Sequence, residues 1–211
     1  MDYVGIFVFA FVSIFVIVDP LAAVVTFISL TNKMDDKTKN MVAKRAVLLA
    51  CVIALAFALT GNFVLNIFGI GVDSLRIAGG ILLFTVALDM MHAKISRESI
   101  TKNEISEYID REDVWIFPIA LPLLTGPGAI TTVIVLMGNS DTILNKLVVI
   151  LAIIATFIIT LYVFIFSRRL YKIMGYTGML VFTRIMGLLL AAISIEFITT
   201  GILNMFQNYG P

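Results

Sequence analysis

LVVILAIIATFIITLYVFIF, residues 147–166, runs for twenty positions without a charged side chain, and that is the roughly 20-residue length an α-helix needs to cross a bilayer. Its apolar residues fall on every side of a helix, which marks a segment surrounded by lipid or protein all round. AVLLACVIALAFALTGNFVLNIF, residues 46–68, reads the same way. The rest of the chain agrees: 211 residues, 60% hydrophobic and 14% charged, with a mean hydropathy of +1.05. Soluble domains average about 45–50% apolar and 25% charged, so a water-soluble fold is excluded. A formal charge of +1 and a pI near 7.8 leave no electrostatic footprint for nucleic acid. The single Cys51 excludes a disulfide framework within one chain. With one histidine, His92, no Ser/His or Cys/His constellation and no metal site is expected, and the chain reads as neither an enzyme nor a holder of a cofactor.

Apolar runs between charged punctuation predict six spans, at about 3–30, 46–68, 74–92, 114–138, 146–166 and 180–205. The fold class is thus all-α, a single polytopic membrane domain. The first Lys or Arg is Lys33, so the first apolar run lacks the cationic start of a secretory signal and is expected to be retained. Twelve of the fifteen Lys and Arg residues fall in segments 31–45, 93–113 and 167–178. Short cytoplasmic loops hold the excess of positive charge, so these three lie inside and both termini outside. The polar stretch 93–113 is the cytoplasmic linker between halves 1–92 and 114–211.

The two halves resemble each other. DPLAAVVTFISL (19–30) aligns with GPGAITTVIVLM (126–137), and LRIAGGILLFTVALDM (75–90) with TRIMGLLLAAISIEFI (183–198), at nearly one offset. Pro20 meets Pro127, Arg76 meets Arg184 and Gly79 meets Gly187. Three spans per half force the second copy to enter the bilayer upside down, so the repeat is inverted. Inverted repeats with matching Pro/Gly interruptions point to a secondary transporter with its site near the midplane.

Those interruptions fall midway along the first and fourth spans, at Asp19-Pro20 and at Thr125-Gly126-Pro127-Gly128. Proline removes a backbone donor and disfavours helical geometry in the residue before it, yet suits the first position of a helix. Each proline is therefore expected to start a half-helix, capped by Asp19 in one case and by Thr125 or Gly126 in the other. Backbone broken at this depth survives only against protein or a polar cavity, so the breaks should face inward together. A helix N-terminus without its own acid suits a carboxylate, and Asp19 offers the opposite sign. A zwitterion would satisfy both, with Thr131 and Thr132 adding hydroxyl contacts.

Other ionisable residues within spans are coupling or gating candidates. Glu196 reads as a proton carrier or a second polar wall. Asp89, close to the cytoplasmic end of its helix, reads first as snorkelling to water. Arg76 and Arg184 begin equivalent helices near opposite faces, where anchoring, pairing with acids and gating are all open to them.

DPLAAVVTFISLT (19–31), LRIAGGILL (75–83), PIALPLLTGPGAITTV (118–133) and TRIMGLLLAAISIEFITTGI (183–202) together resemble the MarC family of membrane proteins, in that family's order and over nearly the whole chain. The resemblance implies six helices, a cytoplasmic (inner) membrane location, and transport of small neutral amino acids such as glycine and alanine, coupled to H+ or Na+. Passive channels, exporters of other small solutes and membrane proteins without transport are the alternatives. Pro20, Arg76, Gly79, Gly126, Pro127, Gly128 and Arg184 match the family pattern as they stand. Two positions depart from it, since the family usually has Asn where this chain has Asp19 and Gln near Glu196. Each departure replaces an amide by an acid of similar shape and adds a protonation site.

Overall fold

The structure, a computed structural model, describes residues 2–92, 113–140 and 142–209. The linker proposed at 93–113 lies outside the described residues apart from Asp113. Among the described residues all regular structure is helical: α1 (Tyr3–Val18), α2 (Pro20–Leu30), α3 (Asp36–Ile67), α4 (Val72–Met91), α5 (Trp115–Leu124), α6 (Pro127–Gly138), α7 (Ile143–Ile165) and α8 (Ser167–Tyr209). Five stretches are long and apolar enough to cross a membrane, the first being α1 and α2 together. The bent pair α5–α6, which turns by 58° at its break, makes a sixth.

Two segments expected as loops are helical. α3 starts at Asp36 rather than near residue 46, so Lys37, Lys39, Lys44 and Arg45 ride on its opening turns. Asp36 in the first turn complements the helix dipole and pairs with Arg168 at the start of α8. α8 likewise begins at Ser167, and its break comes at Gly175, whose φ of 64° and ψ of 178° put it outside the helical region. SRRLYKIM holds no breaker before that glycine, so nothing in it opposes a helix.

Packing follows from small residues and from what lipid cannot drive. Lipid tails are as apolar as leucine, so helix association in a membrane rests on close van der Waals contact. On α3 the buried face is Ala43, Ala46, Ala50, Ala54, Ala58 and Gly61, recurring every third or fourth position. Gly61 lets α6 in: a Cβ there would collide with Ile134. Phe27 and Phe164 stack at 4.5 Å between α2 and α7. The outward residues are apolar as well, with Phe63 70%, Phe68 71% and Ile173 82% exposed, as expected where the outer face meets hydrocarbon rather than water.

α4 and α8 run antiparallel along their length. Gly80 faces Ser194 and Ile198, Gly187 faces Ala87 and Met90, and Gly201 faces Asp73 and Ile77. Arg76 and Arg184 accordingly stand at opposite ends of this pair. Leu83, Ala87, Met186, Leu190 and Phe197 fill it, together with Val16 of α1 and Val135 of α6.

Candidate functional site

The first break is a single residue. Asp19 adopts the left-handed conformation (φ 38°, ψ 68°) between α1 and α2. Pro20 disfavours right-handed helix at the position before it, and Asp tolerates the left-handed region better than most residues. Its own N–H still donates to the Phe15 carbonyl at 3.0 Å, while its carbonyl accepts from Ala23 at 3.1 Å. The side chain caps α2, with Oδ1 accepting from the Ala22 N–H at 3.2 Å. Asp19 is 7% exposed, and its second oxygen, Oδ2, is enclosed with no hydrogen-bond partner.

The second break is longer. α5 is an irregular, π-type helix with Pro118 and Pro122 inside it and extended backbone at Phe117 and Leu121. Thr125 closes it by turning back, its N–H (3.1 Å) and Oγ1 (2.7 Å) both donating to the Ala120 carbonyl. Of the two residues expected to cap the next half-helix, the structure selects Gly126, in extended geometry with φ −70° and ψ 172°. It has no side chain to offer, so the head of α6 at Pro127, Gly128 and Ala129 carries no side-chain cap. Such uncapped N–H groups, with the positive end of the helix dipole, attract an anionic group.

The breaks approach each other. A Cβ on Gly128 would lie 3.7 Å from Ile17 Cγ2, two residues before Asp19, and 2.7 Å from Leu83 Cδ2 of α4. One turn along α6, Thr131 packs into the notch left by Gly79. Thr132 is fully buried, and its hydroxyl has no partner. Ser13, buried on α1 and likewise unpartnered, was not singled out from sequence. Its signal was a lone hydroxyl in an apolar run, which helices also tolerate by bonding back to their own carbonyls. An unpartnered buried polar atom costs about 1–3 kcal/mol. Of the five such side-chain atoms among the described residues, Asp19 Oδ2 lies at the first break and Thr132 Oγ1 just past the second, while those of Asn62 and Arg76 lie elsewhere.

The coupling and gating candidates divide. Arg76 and Glu196 line one cavity with Asn139 and Thr200, residues that sequence reasoning passed over. Asp89 is half-buried on α4 and Arg184 exposed on α8, and neither lines that cavity. Among the described residues no group of three or more His, Cys, Asp or Glu side chains is placed to hold a metal.

An all-helical chain with five or six membrane-crossing stretches, two of them broken where they approach one another inside the bundle, defines a multi-pass integral membrane protein. Residues 4–206 match the profile of the MarC family integral membrane proteins, and the chain belongs to that family. It is 37% identical over 211 residues to the membrane protein MJ0972 of Methanocaldococcus jannaschii, covering 99% of this chain and 91% of that one. To the membrane protein YhcE of Escherichia coli it is 38% identical over 199 residues, covering 94% and 92%. To YvbG of Bacillus subtilis it is 32% identical over 200 residues, covering 94% and 95%. No solved structure matches the chain.

Proposed function

We propose that this protein is a secondary transporter of small neutral amino acids of the glycine and alanine type, and that its substrate seat lies where the two broken spans approach. The observation that carries the reading is that the contact of Gly128 with Ile17 brings two breaks with opposite offers near one another. Asp19 Oδ2 is enclosed without a partner, and the head of α6 carries no cap, with the unpartnered Thr132 hydroxyl one turn on. A zwitterion is the ligand class that meets both, its carboxylate on the Gly128 and Ala129 amides and its ammonium on Asp19. Leu83 and Ile17 close on Gly128, which favours a small substrate.

In this reading the chain is two inverted halves, 1–92 and 114–211, in the cytoplasmic membrane with both termini outside. The antiparallel α4–α8 pair, with Arg76 and Arg184 at its two ends, is the arrangement such a repeat would give. Alternating access would rock one half against the other about the fixed seat. Asp19 and Glu196 are the residues through which H+ or Na+ coupling would act. No catalytic group, metal or cofactor takes part.

The test is uptake of labelled alanine by proteoliposomes with and without an imposed pH or Na+ gradient. Saturable, gradient-driven uptake that competes with glycine is expected. Equal, unsaturable flux in both directions would make the protein a channel. Absence of both flux and ligand-dependent stabilisation across a panel of amino acids would leave it without transport activity.

A further inference from the structure

A second polar place lies away from the breaks. Phe9 of α1, Arg76 of α4, Asn139 at the end of α6, and Glu196, Phe197 and Thr200 of α8 line a cavity of about 160 Å³. Phe9 lies ten residues before Asp19, and Asn139 twelve after Pro127. At about 1.5 Å of rise per residue, roughly 15–18 Å of helix separates the cavity from the breaks, toward the end of the bundle that carries both termini.

Its two charged residues do not pair with each other. Arg76 Nη1 lies 3.4 Å from Asp73 Oδ1, which also accepts from Asn204 Nδ2 at 3.0 Å. Glu196 Oε1 accepts from the Thr200 hydroxyl at 3.3 Å. Arg76 is 3% exposed, and its Nη1 is enclosed without a well-formed hydrogen bond. Glu196 is exposed on α8 whereas Arg76 is buried, so the crevice runs from an open carboxylate to an enclosed guanidinium. Each is held by a neighbour of its own, which leaves both charges on the wall of one space.

A molecule that fits this field has an anionic end for the guanidinium and a cationic end for the carboxylate. Arginine presents a planar fork that suits a carboxylate. Asn139 and Thr200 add neutral polar contacts, while Phe9 and Phe197 supply an apolar wall. The space is enough for a molecule of a few heavy atoms. That is the scale of glycine or alanine, whose heavy atoms each take roughly a water's space.

We propose that this cavity is a second seat for a small zwitterionic α-amino acid, with its carboxylate on Arg76 and its ammonium on Glu196. Its meaning as a vestibule through which substrate reaches the breaks rests on the transport reading above. The occupancy itself is a separate property of the cavity.

Equilibrium binding of labelled glycine to the full chain in nanodiscs tests it, using Glu196→Gln, Thr200→Val and Asp19→Asn. All three are near-isosteric, and two of them alter side chains on the open side of α8, so folding is expected to hold. The wild type should bind a second glycine per chain. Glu196→Gln should weaken that component roughly tenfold or more, Thr200→Val less so, and the Asp19-dependent component should persist. Acetate and ethylammonium, each half of the ligand, should compete poorly. Glycine binding unchanged by Glu196→Gln and Thr200→Val but lost in Asp19→Asn would overturn the second seat and keep the first. Binding lost in Glu196→Gln but untouched by Asp19→Asn would support the second seat and remove the one at the breaks. No glycine binding by the wild type would overturn both.

Discussion

Gly128 at the head of α6 stands against Ile17 near the end of α1, so close that a methyl group on the glycine would sit 3.7 Å from Ile17 Cγ2. Two breaks more than a hundred residues apart in sequence are therefore neighbours in space. The same methyl group would meet Leu83 Cδ2 at 2.7 Å, closer than packed carbons approach. Gly128→Ala should destabilise by about 1–3 kcal/mol through overpacking, read as a lower melting temperature in detergent. Leu83→Val in the same chain should recover most of the stability, because the clash is with the far end of that side chain. Glycine-induced stabilisation should stay impaired, because the added methyl group still covers the amides. Full recovery of the ligand response in the double variant would separate Gly128 from the seat.

Asp19 carries two duties that substitution can separate. Asparagine tolerates the left-handed backbone and keeps an oxygen for the Ala22 amide, so Asp19→Asn should fold with little loss of stability. Asp19→Ala loses the cap, worth about 1 kcal/mol, and with it the local hydrogen bonding that lets a short polar side chain tolerate the left-handed backbone. The expected order of melting temperatures is wild type close to Asp19→Asn, with Asp19→Ala clearly lower. Amino-acid uptake should fall in both, since neither retains the charge. Uptake in Asp19→Asn equal to wild type, with or without a pH gradient, would remove the carboxylate from both substrate binding and coupling.

The breaks were legible in the sequence because proline has a local mechanism. Pro20 and Pro127 lack an N–H and constrain the residue before them whatever surrounds them, and both start helices as expected. The six apolar spans were legible because hydrocarbon thickness sets their length. Less legible were the polar ends. α3 was placed from where its apolar run begins, but a helix continues past the lipid when no breaker stops it, and the turns holding Lys37 and Lys39 do so. The choice of Gly126 over Thr125 as a cap depended on where the Thr125 hydroxyl bonds, and that is decided by the π-type turn before it. The meeting of Arg76 with Glu196, Asn139 and Thr200 is tertiary. No spacing along the chain encodes it.

The α4–α8 contact should be the least tolerant of added volume. A Cβ at Gly80 would lie 2.8 Å from the Ser194 carbonyl and 2.7 Å from Ile198 Cγ1, and backbone cannot rotate aside as a side chain can. Gly80→Ala should therefore cost at least the roughly 1–3 kcal/mol of overpacking. Gly69 is the matched comparison: it has φ +66° with nothing within 4 Å of a would-be Cβ. Gly69→Ala should cost only the roughly 1–2 kcal/mol of the left-handed backbone. Melting curves of the two variants decide the matter. Gly80→Ala as stable as wild type would mean that α4 and α8 are not held at this distance.

Thr132 and Thr156 give a paired test of whether the region beside the breaks is built for a ligand or for packing. Both hydroxyls are fully buried on apolar helices. Thr156 donates to the Ala152 carbonyl at 2.9 Å, whereas Thr132 Oγ1 has no partner. Replacing a bonded hydroxyl by a methyl group forfeits that bond, a net loss of about 0.5–1.5 kcal/mol. Replacing an orphan relieves a desolvation cost instead. Thr156→Val should lower the melting temperature of the ligand-free protein, while Thr132→Val leaves it unchanged or raises it. Saturating glycine should then reverse the ranking at Thr132. A ligand that bonds only the native state raises stability by RT ln(1 + [L]/Kd), and a chain without the Thr132 hydroxyl binds it more weakly and gains less. If Thr132→Val destabilises the free protein as much as Thr156→Val does, the hydroxyl has a structural partner. If both variants respond to glycine as the wild type does, Thr132 is not part of the seat.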